Sequence, residues 1–378
     1  MMKIKDGFLV GLALQLMFSI HAIAGAIDPD ATAQTKKLLS NLHQVSGKGI
    51  LLGQQHATLQ GMNWVNKKRC DIYEVSGQYP VVNGWDFGDF REIPKEGISY
   101  SKMLEQVRVV HRSGGINTFT WHMWNPVTGG NFYDVTPAVR EILPGGSKNS
   151  FYLSRLELLA KTVLKLKDDS GAAIPIIFRP FHESDGTHFW WGKTECTREE
   201  FIQLWRYTVN TLRNQFHVHQ FLYAFSISDF QSEPDFLDRY PGDEYVDILG
   251  QDNYIELNYN PWGPGAPAER DRLRSELKRK LGIMVGLAQA RGKVSALTEF
   301  GPFKVPQADF WTTRFMDPIL ADARASQISY AMLWRNRSEA EYFGPYAGHF
   351  SVPDFQKMAT YPQAWFLDQW IRQTRSSR

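Results

Sequence analysis

A short apolar run followed by a longer stretch of helical spacing recurs about eight times along this chain, and few folds accept that rhythm. The apolar runs cover residues 49–53, 79–84, 116–121, 176–180, 221–225, 246–250, 294–297 and 328–333. They are too short for helices and rich in Val, Ile, Leu and Phe, as strands buried on both faces are. Between them the period changes. Residues 100–111 place Met103, Leu104, Val107 and Val110 on one face, and Gly114-Gly115 stops the pattern. Thr197 with Glu200 three residues on reads as a capping box opening a helix through Leu204, Tyr207, Thr208 and Leu212. Residues 32–43, 151–167, 269–291, 310–324 and 363–372 also have helical spacing. Strand and helix in alternation predict a parallel sheet, and eight rounds predict a closed (β/α)8 barrel, an α/β fold. No composition shift marks a second domain, so one domain over residues 26–378 is expected. A Gly- and Pro-rich insertion at 125–149 is expected to fold over one end of the molecule.

In such a barrel the chemistry gathers where strands end and loops begin. Here those ends carry His56, Trp85, His122, Glu183, Tyr254, Glu299 and Trp334. The densest stretch is 176–192, which leaves its strand with Arg179, His182 and Glu183, turns at Asp185-Gly186, and meets Phe189, Trp190 and Trp191. A carboxyl ringed by Trp and His is how a general acid is built, because apolar neighbours disfavour its charged form. Stacked indoles also suit the flat faces of sugars. Strands four and seven face one another over the barrel cavity, so Glu183 and Glu299 would flank a bound molecule from opposite walls. Two opposed carboxyls are the machinery of glycoside hydrolysis. Glu183 is the better acid and Glu299 the better nucleophile; Tyr254 would orient the nucleophile, and Trp334 would form a floor under the reacting sugar. Each residue alone has an ordinary structural explanation. Glu299 could be a helix N-terminal carboxylate. Tyr254 and Trp334 could be core aromatics, and His56 and His122 satisfied core histidines. For His56 the structural explanation is preferred.

Other chemistries fit less well. A metal site needs ligands converging on one point, and His182-Glu183, adjacent on a strand, would point to opposite sides. No Gly-rich phosphate loop follows the first strand, and no Gly-x-Ser-x-Gly elbow is present. No metal or cofactor is expected. A formal charge of +2 argues against a nucleic-acid partner. Lys3 and Lys5, an apolar run from Phe8 to about Ile20, and Ala22-Ile23-Ala24 read as a secretion signal over residues 1–25. The run is too short for a membrane span. The only cysteines, Cys70 and Cys196, lie far beyond it, so no lipid anchor is expected. A soluble monomer in the periplasm or outside the cell is expected. The two cysteines permit one disulfide or two free thiols.

The segments Arg179-Pro-Phe-His-Glu-Ser-Asp-Gly-Thr-His-Phe-Trp-Trp-Gly192, Thr298-Glu-Phe-Gly301, Gly53-Gln-Gln-His56, Gly84-Trp-Asp86 and Trp121-His122 resemble glycoside hydrolase family 26 over essentially the whole mature chain. That resemblance implies a retaining (β/α)8 enzyme, most members being β-1,4-mannanases acting on mannan, glucomannan, galactomannan or manno-oligosaccharides. It implies Glu183 as acid/base and Glu299 as nucleophile. His182, Tyr254 and Trp334 would line the subsite of the attacked mannose, with His122 and Trp191 nearby, and Arg335 would reach the next sugar on the non-reducing side. Where the family carries an aromatic residue, often Trp, this chain has His188, a weaker platform on the leaving-group side. An endo-acting enzyme is expected. A mannobiose-releasing exo-enzyme, another β-glycanase of the family and a non-catalytic glycan-binding barrel are the alternatives.

Overall fold

The structure is a computed structural model that describes residues 25–88, 97–257 and 266–375. The expected secretion signal lies outside them. Eight parallel strands form the centre: β1 (Ile50–Gln55), β2 (Val82–Asp86), β3 (Ile116–Trp121), β4 (Ile176–Pro180), β5 (Phe221–Ile227), β6 (Ile248–Asn253), β7 (Val294–Phe300) and β8 (Tyr330–Leu333). Each pairs with the next, and β8 pairs back onto β1 with Leu51 opposite Tyr330, so the barrel is closed. Among the described residues, no helix is long and apolar enough to cross a membrane.

The helices follow local sequence logic. Thr32 caps the helix Ala33–Val45 by accepting from the Thr35 amide. Thr197 and Glu200 form the expected reciprocal capping box of Arg198–Asn210. Gly77 ends Asp71–Ser76 in a left-handed conformation. β2 begins at Val82 rather than at Tyr79, because Pro80 lacks the N–H a ladder needs. A two-residue strand, Ala364–Trp365, pairs with β1 outside the barrel, and short hairpins at 60–65 and 336–342 frame its mouth. None of these is long enough to leave a period in the sequence.

Side-chain alternation splits the core in two. Ile177, Leu222, Ala224, Ile248, Val294 and Ala296 point into the barrel. There they meet Leu38, Leu39, Leu42 and Val45 of the first helix, which plugs the base. Ile176, Phe178, Leu249 and Leu297 point outward into the layer under the helices. The same parity carries the functional side chains. Arg179 follows Ile177 on the inner face of β4, Ser226 follows Ala224 on β5, and Asp252 lies on the inner face of β6 with Ile248. An apolar floor therefore carries a polar layer above it.

Candidate active site

On β7 the simple alternation fails at one place. Gln251 pairs with Leu297 but Asp252 pairs with Glu299, and Ala331 and Leu333 of β8 flank Leu297 and Phe300. Thr298 is therefore an extra residue in a bulge, which turns two successive side chains inward. Thr298 Oγ1 donates to Asp252 Oδ1 at 2.6 Å, and Glu299 enters the cavity beside it. A side chain at Gly250 would collide with Thr298, so the bulge needs a glycine across from it.

Glu299 is held at both oxygens. Tyr254 Oη donates to Oε1 at 2.7 Å, and Arg179 Nη2 donates to Oε2 at 2.5 Å. Arg179 Nη1 donates to Asp252 Oδ2 at 2.5 Å, and Ser226 Oγ donates to the same oxygen at 2.8 Å. One fully buried guanidinium thus serves two carboxyls. Burial pushes Asp252 up to about 7 against the pull of Arg179. Burial also raises Glu299, opposed by Arg179 and Tyr254 and reinforced by the charge of Glu183. The charge of Glu183 thus reaches Glu299 across the cavity.

Glu183 does not sit on the strand. β4 ends at Pro180, and Phe181 and Glu183 both take left-handed backbone angles (φ 48° and 54°) in the turn that follows. This corrects the expectation that His182 and Glu183 project to opposite sides of an extended chain. Two non-glycine residues in that region store strain, which the packing around them must hold. Trp191 Nε1 donates to the His182 carbonyl, and the Glu183 amide donates to the Ser226 carbonyl. Asp185 anchors the far end of the turn through the Ser228 and Asp229 amides. Burial raises Glu183; a hydrogen bond from His188, 2.8 Å from Oε2, opposes that.

The remaining expected residues divide. His122 Nδ1 lies 2.6 Å from Asp86 Oδ2. Burial would raise Asp86, but the charge and hydrogen bonds of His122 hold it well below the usual carboxylate range. His182 packs edge-on to His122 at 4.6 Å, and burial, with Arg179, keeps its imidazole well below the ordinary histidine value. Trp334 lies 6.2 Å from the His122 ring, and the Arg335 guanidinium stacks on Trp334 while Arg335 Nε donates to Glu341. His188 is partly exposed, with Nε2 2.8 Å from Glu183 Oε2.

Trp191 does not reach the cleft. It and Trp190 are fully buried and perpendicular to one another, so the paired indoles brace the turn instead of receiving a sugar. Phe189 covers Trp191, and the exposed aromatic beyond it is Tyr133, nearly parallel to Phe189 at 11° and 5.6 Å. Tyr133 comes from the 125–149 insertion, which is tightly built around buried Asn125. The Asn125 side chain donates to the Asp134 and Thr136 carbonyls and accepts from the Val127 amide. His56 is buried, its Nε2 3.3 Å from Gln55 Nε2. Cys70 and Cys196 are both buried free thiols, which resolves the open question in favour of no bridge. Sequence reasoning missed Asp252, Asp86 and Tyr133. The first two stand at strand ends, where a charge after a buried run was a usable signal; Tyr133 gave none. Asp28, Asp30 and His219 gather ligand-type atoms within 4.8 Å, but at the opposite end of the barrel, where His219 precedes β5.

A closed (β/α)8 barrel whose mouth holds two buried glutamates, one gripped by Arg and Tyr and the other beside His, defines the glycoside hydrolase class. This chain belongs to glycosyl hydrolase family 26, whose model matches residues 27–296. It is 36% identical over 327 residues to a mannan endo-1,4-beta-mannosidase of Bifidobacterium adolescentis, covering 82% of this chain and 32% of that protein. It is 26% identical to one of Thermothelomyces thermophilus, covering 61% of this chain and 46% of that one. The chain thus spans about a third to a half of these two relatives. Among solved structures it resembles the BoMan26A β-mannanase of Bacteroides ovatus (TM-score 0.81, 32% identity, 89% of this chain and 96% of that one). It also resembles GH26C of Muricauda sp. MAR_2010_75 (TM-score 0.83, 33% identity, 91% and 95%).

Proposed function

We propose that this chain is a retaining, endo-acting β-1,4-mannanase with Glu299 as nucleophile and Glu183 as acid/base. The observation that carries it is the unequal dressing of the two glutamates. Glu299 receives a hydrogen bond on each oxygen, from Tyr254 and Arg179, which suits a carboxylate that must be ionised and aimed. Asp252, also bound to Arg179, is pushed up by burial to about 7 and shares the one guanidinium with Glu299. Glu183 is raised by burial, which suits a donor. In the first half-reaction a Glu299 oxygen bonds the anomeric carbon while that carbon's bond to the glycosidic oxygen breaks and Glu183 protonates the departing oxygen. In the second, Glu183 takes a proton from water, whose oxygen attacks the same carbon and frees Glu299. The reading requires the two carboxyl groups to stand about 5–5.5 Å apart.

The mannan assignment is supported by the names of the relatives. Glu183→Ala and Glu299→Ala are each expected to abolish turnover of mannopentaose, and NMR of the first-formed anomer is expected to show retention. Wild-type turnover in either variant ends that residue's role, and an inverted first product ends the retaining mechanism. A mannobiose-releasing exo mode is a second reading, favoured by the ordered insertion that brings Tyr133 to the cleft. A ladder of early products from mannohexaose supports endo action; mannobiose alone supports exo. Residues 26–378 are proposed as one secreted catalytic unit after removal of residues 1–25, tested by N-terminal sequencing of exported protein.

A further inference from the structure

Glu183 has a titratable neighbour that the two-carboxylate mechanism does not use. His188 Nε2 lies 2.8 Å from Glu183 Oε2. The contact is built rather than incidental. A Cβ at Gly186 would run into Cε1 and Nδ1 of His188, so the bare backbone at 186 is what lets the imidazole lie down toward the acid. Phe189, with ring centres 4.2 Å away, backs it, and Tyr133 stands 6.4 Å off. The His188 side chain is 44% exposed and that of Glu183 only 10%. The imidazole therefore gives a buried carboxyl a partner that reaches solvent. Other charges face the pair from each neighbouring element. Asp185 on the same turn and Glu299 on β7 act on His188, Arg179 on β4 and Asp252 on β6 act on Glu183, and His182 senses His188. Tyr133, from the insertion, senses Glu183 and Glu299.

We propose that His188 is a positioning residue that shares one exchangeable proton with Glu183, making the acid and base forms of Glu183 available over the same range of pH. This rests on the retaining reading above. A retaining site asks one carboxyl to give a proton in the first half-reaction and accept one in the second. With one proton on the pair there are two arrangements. In one, Glu183 is protonated beside neutral His188. Nε2–H donates to Oε2, which puts the carboxyl proton on Oε1, and that proton goes to the departing glycosidic oxygen. Neutral His188 then takes a proton from solvent on its other nitrogen. The resulting imidazolium beside ionised Glu183 is the second arrangement, ready to accept the proton of the attacking water. When Glu183 has accepted it, the imidazolium returns its own proton to solvent. Over the cycle the protons balance. The hydrogen bond to Glu183 raises His188, in keeping with the imidazolium arrangement.

Interacting groups lose protons as a pair, and the last proton leaves at a higher pH than it would from Glu183 alone. His188→Gln keeps an amide donor for Oε2 but cannot titrate. The basic midpoint of kcat/KM on mannopentaose is expected to fall by about one pH unit, the scale of a neighbouring charge. The acidic limb, set by Glu299, stays in place. His188→Phe also cannot titrate but loses the donor that holds Glu183 down, so its basic midpoint should lie above that of His188→Gln. If His188 only lined the leaving-group subsite, both variants would change KM and keep the wild-type midpoint; that result overturns the proposal. NMR titration of the His188 ring nitrogens, in wild type and in Glu183→Gln, tests the pair without substrate. His188 is expected to titrate above the ordinary histidine range in wild type and about one unit or more lower in the variant. Equal midpoints overturn the proposal. Coupled midpoints in a protein that cleaves no β-1,4-mannan sink the functional reading and leave the pair intact.

Discussion

Tyr254→Phe removes one hydrogen bond from Glu299 and little else. The hydroxyl donates to Oε1 at 2.7 Å, while the ring meets Phe343 edge-on with centres 5.9 Å apart, a contact phenylalanine keeps. Arg179 remains on Oε2. A hydrogen bond to a charged acceptor is worth about 1.5–3 kcal/mol. At about 1.36 kcal/mol per pH unit, its loss raises the Glu299 pKa by roughly one to two units. The direction follows from the chemistry: the bond favours the ionised form, and burial has already pushed Glu299 upward, so removing the bond pushes it further. The acidic limb of kcat/KM on mannopentaose, followed over roughly pH 4 to 9, should therefore move up by about one to two units. Activity near neutrality should fall more steeply than activity at the alkaline end, and the basic limb should stay. A variant that loses the same factor at every pH would refute this reasoning, since it would mean that the hydroxyl acts on something other than the charge of Glu299.

Arg179→Met leaves two buried carboxyls unbalanced and should cost about 3–5 kcal/mol in urea unfolding, with part recovered by adding Asp252→Asn. No loss of stability would show that the guanidinium does not balance those charges. Asp252, raised to about 7 in the folded chain, contributes stability that is full below its unfolded value near 4 and is lost as pH rises through about 7. The urea midpoint of Asp252→Asn should accordingly fall less between about pH 5 and 8 than that of wild type; parallel curves would place the proton elsewhere. Tyr133→Ala removes an exposed aromatic surface worth about 0.5–1.5 kcal/mol and should raise KM roughly two- to tenfold with kcat nearly unchanged. Because Cys70 and Cys196 are unbridged, a thiol reductant should leave Tm unchanged, and a drop would reveal a disulfide.

The barrel was legible because its signal is repetitive. Each buried parallel strand must be apolar on both faces, so eight such runs announce themselves, and the ends of β4 and β7 mark themselves by carrying glutamate after such a run. Arg179 was visible as a charge inside a buried strand, but its two partners were not, since Asp252 and Glu299 lie far along the chain and meet it only across the closed barrel. Trp190 and Trp191 misled because an indole inside a core and an indole facing a ligand look identical in sequence; only burial distinguishes them.

Composition and period were enough to point to the closed parallel barrel and to mark Glu183 and Glu299 after two of its strand runs, because these depend on patterns local to each strand. Tertiary structure alone decided how those glutamates are dressed. The Thr298 bulge turns Glu299 inward, the left-handed turn at Phe181–Glu183 sets the acid beside His188, and a loop folded about Asn125 brings Tyr133 to the cleft. Each depends on a contact between residues that share no local pattern, and protonation follows from the burial and neighbouring charge that such contacts create.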